Sequence, residues 1–213
     1  MRLRIKFAKQ GALRYIGHLD LHKIWERTAR RADLPLAYSQ GFHPQPKIYL
    51  ASALPLGFSS RCEVLDMRLK NEIAVEGLRA RLQGAVPSGL EILEIEQVDE
   101  NLPALQTQLI AAEYEVVFTE PIDGSDLTGR VTGLLAAGSL PRERRGKSYD
   151  LRPLIEAISV STDAASQILM QMRLTARAGA TGRPEEVLDQ IGIPIESARI
   201  ERTRLIFQDW PVQ

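Results

Sequence analysis

The chain has 213 residues, 44% of them hydrophobic, which suffices for one large core or two modest ones and makes a folded chain rather than a disordered one the expectation. Basic and acidic residues balance at 27 each, yet residues 1–50 hold ten basic ones against Asp20, Glu26 and Asp33, so 10 − 3 = +7 there and −7 over the rest. Cys62 is the only cysteine, which excludes an internal disulfide, a cysteine-rich zinc site and a cysteine-bound iron–sulfur cluster in this chain. No run of about 18 apolar residues occurs, and Met1–Lys6 carries no secretory signal, so the expected setting is the cytoplasm, with no membrane partner.

Along the chain, residues 2–7 alternate as a strand, with Leu3, Ile5 and Phe7 on one face and Arg2, Arg4 and Lys6 on the other. Leu21, Ile24, Trp25, Thr28, Ala29 and Ala32 then recur at helical spacing, with Lys23, Arg27, Arg30 and Arg31 opposite them. Pro35 stops this helix near Asp33. A polar loop, Ser39–Pro46, leads to extended segments near 47–51 and 62–69, a helix through Val75, Leu78 and Leu82, and a strand near 92–98. The second half repeats the order: a strand through Tyr114, Val116 and Phe118, then a helix after Asp123-Gly124-Ser125. Extended segments follow over 142–160, interrupted at Pro153, and 167–175, then a short helix opened by Pro184, and a strand over 200–207. The expected fold is α+β, two tandem ferredoxin-like βαββαβ lobes, 1–103 and 104–213. In such a lobe one sheet face is left open, so Arg2, Arg4 and Lys6 are expected to form a cationic surface continuous with the basic helix face.

Two runs carry a resemblance. Arg14-Tyr15-Ile16-Gly17-His18-Leu19-Asp20, then Arg30-Arg31-Ala32 and Tyr38–Lys47, resemble the radical-SAM-linked family of bacterial proteins, which stand alone or fused behind a radical-SAM module. The likeness continues through Leu54-Pro55-Leu56-Gly57, Ser60 with Glu63, Arg144-Arg145-Gly146-Lys147 with Asp150-Leu151-Arg152, and Arg183-Pro184-Glu185. Gly17 stands where the family often has Ser, and His43 where Asn is common. The resemblance implies a part in RNA modification or maturation, of a tRNA or rRNA left open, beside a radical-SAM partner that carries the S-adenosylmethionine and the iron–sulfur cluster. No cofactor is expected in this chain. The tandem-lobe architecture is also similar to that of CRISPR repeat-processing endoribonucleases, which place a catalytic His shortly after the first strand.

The residues themselves point the same way. The basic set Arg2, Arg4, Lys6, Arg14, Lys23, Arg27, Arg30 and Arg31 is the electrostatic footprint of a phosphate-backbone binder. Gln40, Phe42, His43 and Lys47 can stack a base, bond its edge and neutralise a phosphate. Arg144, Arg145, Lys147 and Arg152 offer a second phosphate track, or a charged hairpin edge that resists aggregation. His18 opens the first helix with Gly17 as N-cap and Asp20 at its third position; it pairs at i, i+4 with His22, but without the HExxH glutamate, and no metal site is expected. Three readings follow: an RNA-binding accessory to a radical-SAM enzyme, a metal-independent endoribonuclease using His18 and Lys47, and a protein–protein scaffold.

Overall fold

A computed structural model describes residues 1–208 and divides into two compact units, the second beginning at Leu109. The first contains β1 (Arg2–Lys9), a 3-10 turn (Gly11–Tyr15), α1 (His18–Arg31), β2 (Ile48–Leu50), β3 (Ser59–Arg68), α2 (Leu78–Gln83), β4 (Leu90–Val98) and α3 (Leu105–Gln108). The second contains β5 (Leu109–Phe118), α4 (Gly124–Ala136), β6 (Pro141–Arg144), β7 (Lys147–Asp150), a 3-10 turn (Arg152–Leu154), β8 (Ile155–Thr162) and β9 (Ile168–Arg177). It ends with β10 (Ala180–Thr181), α5 (Pro184–Gln190), a 3-10 turn (Ile195–Ser197) and β11 (Ala198–Phe207). The fold is α+β with antiparallel strand pairing in both units.

In the first unit β4 pairs β1, β1 pairs β3 and β3 pairs β2. In the second, β11 pairs β5, β5 pairs β9 and β9 pairs β8. Each order, fourth-first-third-second, results when two βαβ crossovers interleave, because each crossover leaves a gap that the other's strand fills. The second unit adds the β6–β7 hairpin between α4 and β8. The junction lies at Gln108 rather than after residue 103, since α3 and the buried Leu105 belong to the first unit.

Alternation in β1 sorts its side chains as expected: Leu3, Ile5 and Phe7 are fully buried, and Phe7 meets Trp25 of α1 edge to face at 4.8 Å between ring centroids. Leu21, Trp25 and Ala29 form the buried stripe of α1, with Leu65 and Met67 of β3 beneath. The other face of β1 differs from the expected open cationic surface. Arg2 and Arg4 are only 4% and 5% exposed, and both converge on Asp66 of β3, itself 1% exposed. Arg2 reaches Asp66 Oδ2 at 2.6 Å and Arg4 reaches Oδ1 at 2.8 Å. Arg2 also donates to the carbonyls of Leu102 and Pro103, which fastens the segment after β4 over this part of the sheet. A carboxylate paired with two guanidiniums and a covering connector therefore replace the expected RNA-facing surface. Arg2 and Arg4 leave the candidate binding set, and their face does not continue into the basic face of α1. Lys6, the third member, is partly buried and pairs with Glu94 at 2.6 Å.

Candidate functional site

The first concentration of functional groups lies where β1 ends and α1 begins. The core rows of both central strands change character here. Leu3, Ile5 and Phe7 pair with Met67, Leu65 and Glu63, so a carboxylate 1% exposed stands opposite Phe7. A bulge between Phe7 and Lys9 follows, and Lys9, also 1% exposed, sends Nζ to the Ile16 carbonyl at 3.1 Å. Bulges re-aim side chains at strand ends, and this one delivers an ammonium beneath the turn that precedes α1. Gly89 holds that turn down: a Cβ there would sit 2.7 Å from the Gln10 carbonyl oxygen, and its φ is +93°.

His18 opens α1 above these groups, with Gly17 as N-cap and Asp20 at the third position as expected. Its ring is exposed at the surface yet loses part of its hydration. Its pKa is lowered, first by that desolvation and then by His22, against an opposing pull from the Glu63 carboxylate. Desolvation and His22 thus favour the neutral imidazole, the form that can accept or donate a proton. His22 contacts the Ile48 carbonyl at 3.1 Å through Nε2. Asp20 accepts from Lys23 at 3.3 Å. Arg14 lies over the Tyr15 ring, 4.7 Å from its centroid. The runs 14–20, 54–57 and Ser60 with Glu63 meet at this end of the unit: Gly57 donates its amide to the Arg14 carbonyl, and Leu56 lies against Gly17. Lys9 and Glu63 were absent from the sequence-derived site, although Lys9 continues the odd-numbered row of Leu3, Ile5 and Phe7.

The loop after α1 is the second feature. Ser39 and Gln45 clasp its neck through two hydrogen bonds, Ser39 N–H to the Gln45 carbonyl at 2.8 Å and Gln45 N–H to Ser39 Oγ at 2.9 Å. Tyr38 bridges to Pro46 just outside this clasp, and its hydroxyl meets Arg30 and Glu26 of α1. Within the clasp Gln40, Phe42 and His43 are all exposed, and Phe42 is 102% exposed. Lys47 stands just beyond it, half-buried, with its backbone in the ladder to Ala37 and Arg68. The loop therefore rises from the side of α1 that carries Arg30, while Lys23, Arg27 and Arg31 of the same helix are exposed.

In the second unit the basic run divides. Arg144 and Lys147 flank a two-residue turn in which Arg145 and Gly146 both have positive φ, 49° and 73°, the conformation that matches strand twist in a tight hairpin. Arg142 instead pairs with Asp189 of α5. Arg152 differs from its expected phosphate-facing role, because Nε and Nη1 donate to the carbonyls of Leu135 and Ile155 at 3.1 and 3.2 Å and brace the turn before β8. Beside the hairpin lies a groove of about 460 Å³ lined by Arg144, Lys147, Tyr149, Thr181 and Arg183, among others. Burial first, then the neighbouring Glu186 carboxylate, push the Tyr149 phenol up to about 12. Glu185 is raised too, chiefly by its own burial.

Among the described residues no helix is long and apolar enough to cross a membrane. Among solved structures the chain is similar to one described as "Crystal Structure of a Cbf5-Nop10-Gar1 Complex", at 11% identity and a TM-score of 0.50, over 95% of this chain and 48% of that one. The chain thus spans about half the length of that relative, and the likeness concerns the fold alone. A second, "X-ray crystal structure of a heavy metal efflux pump, crystal form II", is 10% identical over 95% of this chain and 28% of that one, and at a TM-score of 0.25 it carries no argument. No curated protein matches the sequence. The family model described as "Uncharacterized protein conserved in bacteria (DUF2344)" matches residues 2–184, and the chain belongs to that family.

Proposed function

We propose that the chain is an RNA-binding protein that presents RNA to a radical-SAM enzyme acting in RNA modification or maturation. The observation that carries this reading is Phe42: an aromatic ring wholly exposed, on a loop clasped at its neck, in a unit whose helix α1 exposes Lys23, Arg27 and Arg31. An isolated exposed ring contributes nothing to folding, whereas in a unit that also exposes cations it offers a base a stacking partner while those cations offer its phosphates a counter-charge. The radical-SAM partner is supported by the family resemblance. The cluster and S-adenosylmethionine belong to that partner in this reading, since Cys62 alone cannot ligate a cluster.

Phe42→Ser tests the loop. Stability is expected to stay within about 0.5 kcal/mol of wild type in a thermal melt, because the side chain is not packed in the core. Affinity for single-stranded RNA, read by fluorescence anisotropy, is expected to fall by about 1–3 kcal/mol, the worth of one stacked base. Unchanged affinity would remove the loop from the interface.

One observation favours a second reading, a metal-independent endoribonuclease. His18 is exposed, its neutral form is favoured by desolvation and His22, and it lies within electrostatic reach of Glu63. If the ring transfers protons, wild type cleaves RNA in the presence of a chelator, and His18→Ala slows cleavage roughly 10²–10⁴-fold with binding nearly intact. The accessory reading expects no scission by either protein and an affinity loss on the order of 1 kcal/mol in the variant. A denaturing gel of end-labelled RNA separates the two.

A further inference from the structure

The groove of the second unit combines features that its cations alone do not explain. Arg144 and Lys147 reach it from the hairpin, and Arg183 from the residue that precedes α5. Arg183 gets there because Gly182 lets the chain pass Leu154 closely: a Cβ at 182 would lie 2.8 Å from the Leu154 carbonyl oxygen. Between the cations stands Tyr149, whose hydroxyl is fully buried and faces the Glu186 carboxylate, while the residue as a whole is only half-buried. The polar tip is therefore sunk toward the Glu186 side, and the partly exposed remainder of Tyr149 lines the groove. That inverts the usual arrangement, in which a tyrosine buries its ring and exposes its hydroxyl. A volume of about 460 Å³ lies within the size range of small-ligand sites and holds one nucleotide.

We infer that this groove binds one nucleotide of single-stranded RNA, the Tyr149 ring stacking on its base and Arg144, Lys147 and Arg183 neutralising its phosphate. The inference rests on the RNA-binding reading above and adds to it a base-sized subsite with a named platform. It also separates strands: a base already stacked in a duplex cannot enter the groove, so the subsite favours unpaired RNA.

The test is equilibrium binding of a labelled single-stranded octanucleotide, and of the same sequence in duplex, to the full chain and three variants. Tyr149→Leu is expected to weaken single-strand binding about fivefold or more and to leave duplex binding within about twofold, since only a stacked base is lost. Tyr149→Phe keeps the ring and is expected to bind within about twofold of wild type. Arg183→Gln is expected to weaken binding with a shallower salt dependence, and it decides the matter if Tyr149→Leu fails to fold. Wild-type affinity in Tyr149→Leu, or in Arg183→Gln where that variant stands in, overturns the groove while leaving RNA binding by the chain intact. A loss in Tyr149→Phe equal to that in Tyr149→Leu also overturns it, by assigning the effect to the hydroxyl. Displacement of the oligonucleotide by micromolar AMP overturns the RNA assignment in favour of a free nucleotide. Absence of any RNA binding by wild type removes the RNA reading itself, and the inference with it.

Discussion

Asp66→Asn is expected to destabilise the first unit by about 3–5 kcal/mol, the cost of removing one partner from a buried ion pair. Asp66 offers one carboxylate to two guanidiniums, accepting from Arg2 at 2.6 and 3.0 Å and from Arg4 at 2.8 and 3.0 Å. All three residues are at most 5% exposed, so water cannot replace the lost charge without opening the sheet. The amide of Asn keeps the shape and one acceptor oxygen but leaves two buried cations without their shared anion. Urea denaturation followed by circular dichroism measures the loss, and the same variant should bind RNA normally wherever it remains folded. A loss below about 1 kcal/mol, as for a surface pair, would contradict the burial of this cluster.

The second large effect is on binding. Replacing Arg144, Arg145 and Lys147 together by Ala is expected to reduce the slope of log K against log salt by about 2, from roughly 0.7 per phosphate contact on single-stranded RNA. Affinity near 0.1 M salt should fall about 100-fold, since a slope change of about 2 acts over the one decade of salt below about 1 M. The fold should survive. Arg145 and Lys147 are exposed and Arg144 half-exposed. Arg145 already holds a positive φ with a Cβ attached, so Ala adds no strain there. A salt titration of binding provides the slope, and an unchanged slope would reduce the hairpin to a charged edge that resists aggregation.

Local pattern foretold the elements that interact with their neighbours in sequence. The strict alternation of residues 2–7 and the 3.6-residue spacing from Leu21 to Ala32 gave β1, α1 and their buried faces, because each periodicity follows from the element's own geometry. Arg2 and Arg4 went wrong for the complementary reason. Their partner Asp66 is 62–64 residues away, and only the register of β1 on β3 reveals that a cationic row is neutralised from the next strand. Arg152 is a similar case, its acceptors being carbonyls supplied by the tertiary fold. The 3-10 turn at 11–15 and α3 are too short for a helical period to register. Of the candidate site, His18, Phe42 and the hairpin cations were legible as residue types in polar loops or at a helix start. Lys9 and Tyr149 were not, and Glu63 was legible only as part of the family resemblance, since their significance lies in burial: a lysine and a glutamate at the ends of apolar rows, and a phenol turned tip-inward.

RNA contact by the chain is tested most directly by ultraviolet crosslinking in cells, followed by mass-spectrometric mapping of the crosslinked residues. The account predicts RNA adducts on the 39–47 loop, centred on Phe42, and on the β7 segment containing Tyr149. Recovery of the protein without RNA adducts, or adducts confined to other segments, would contradict it.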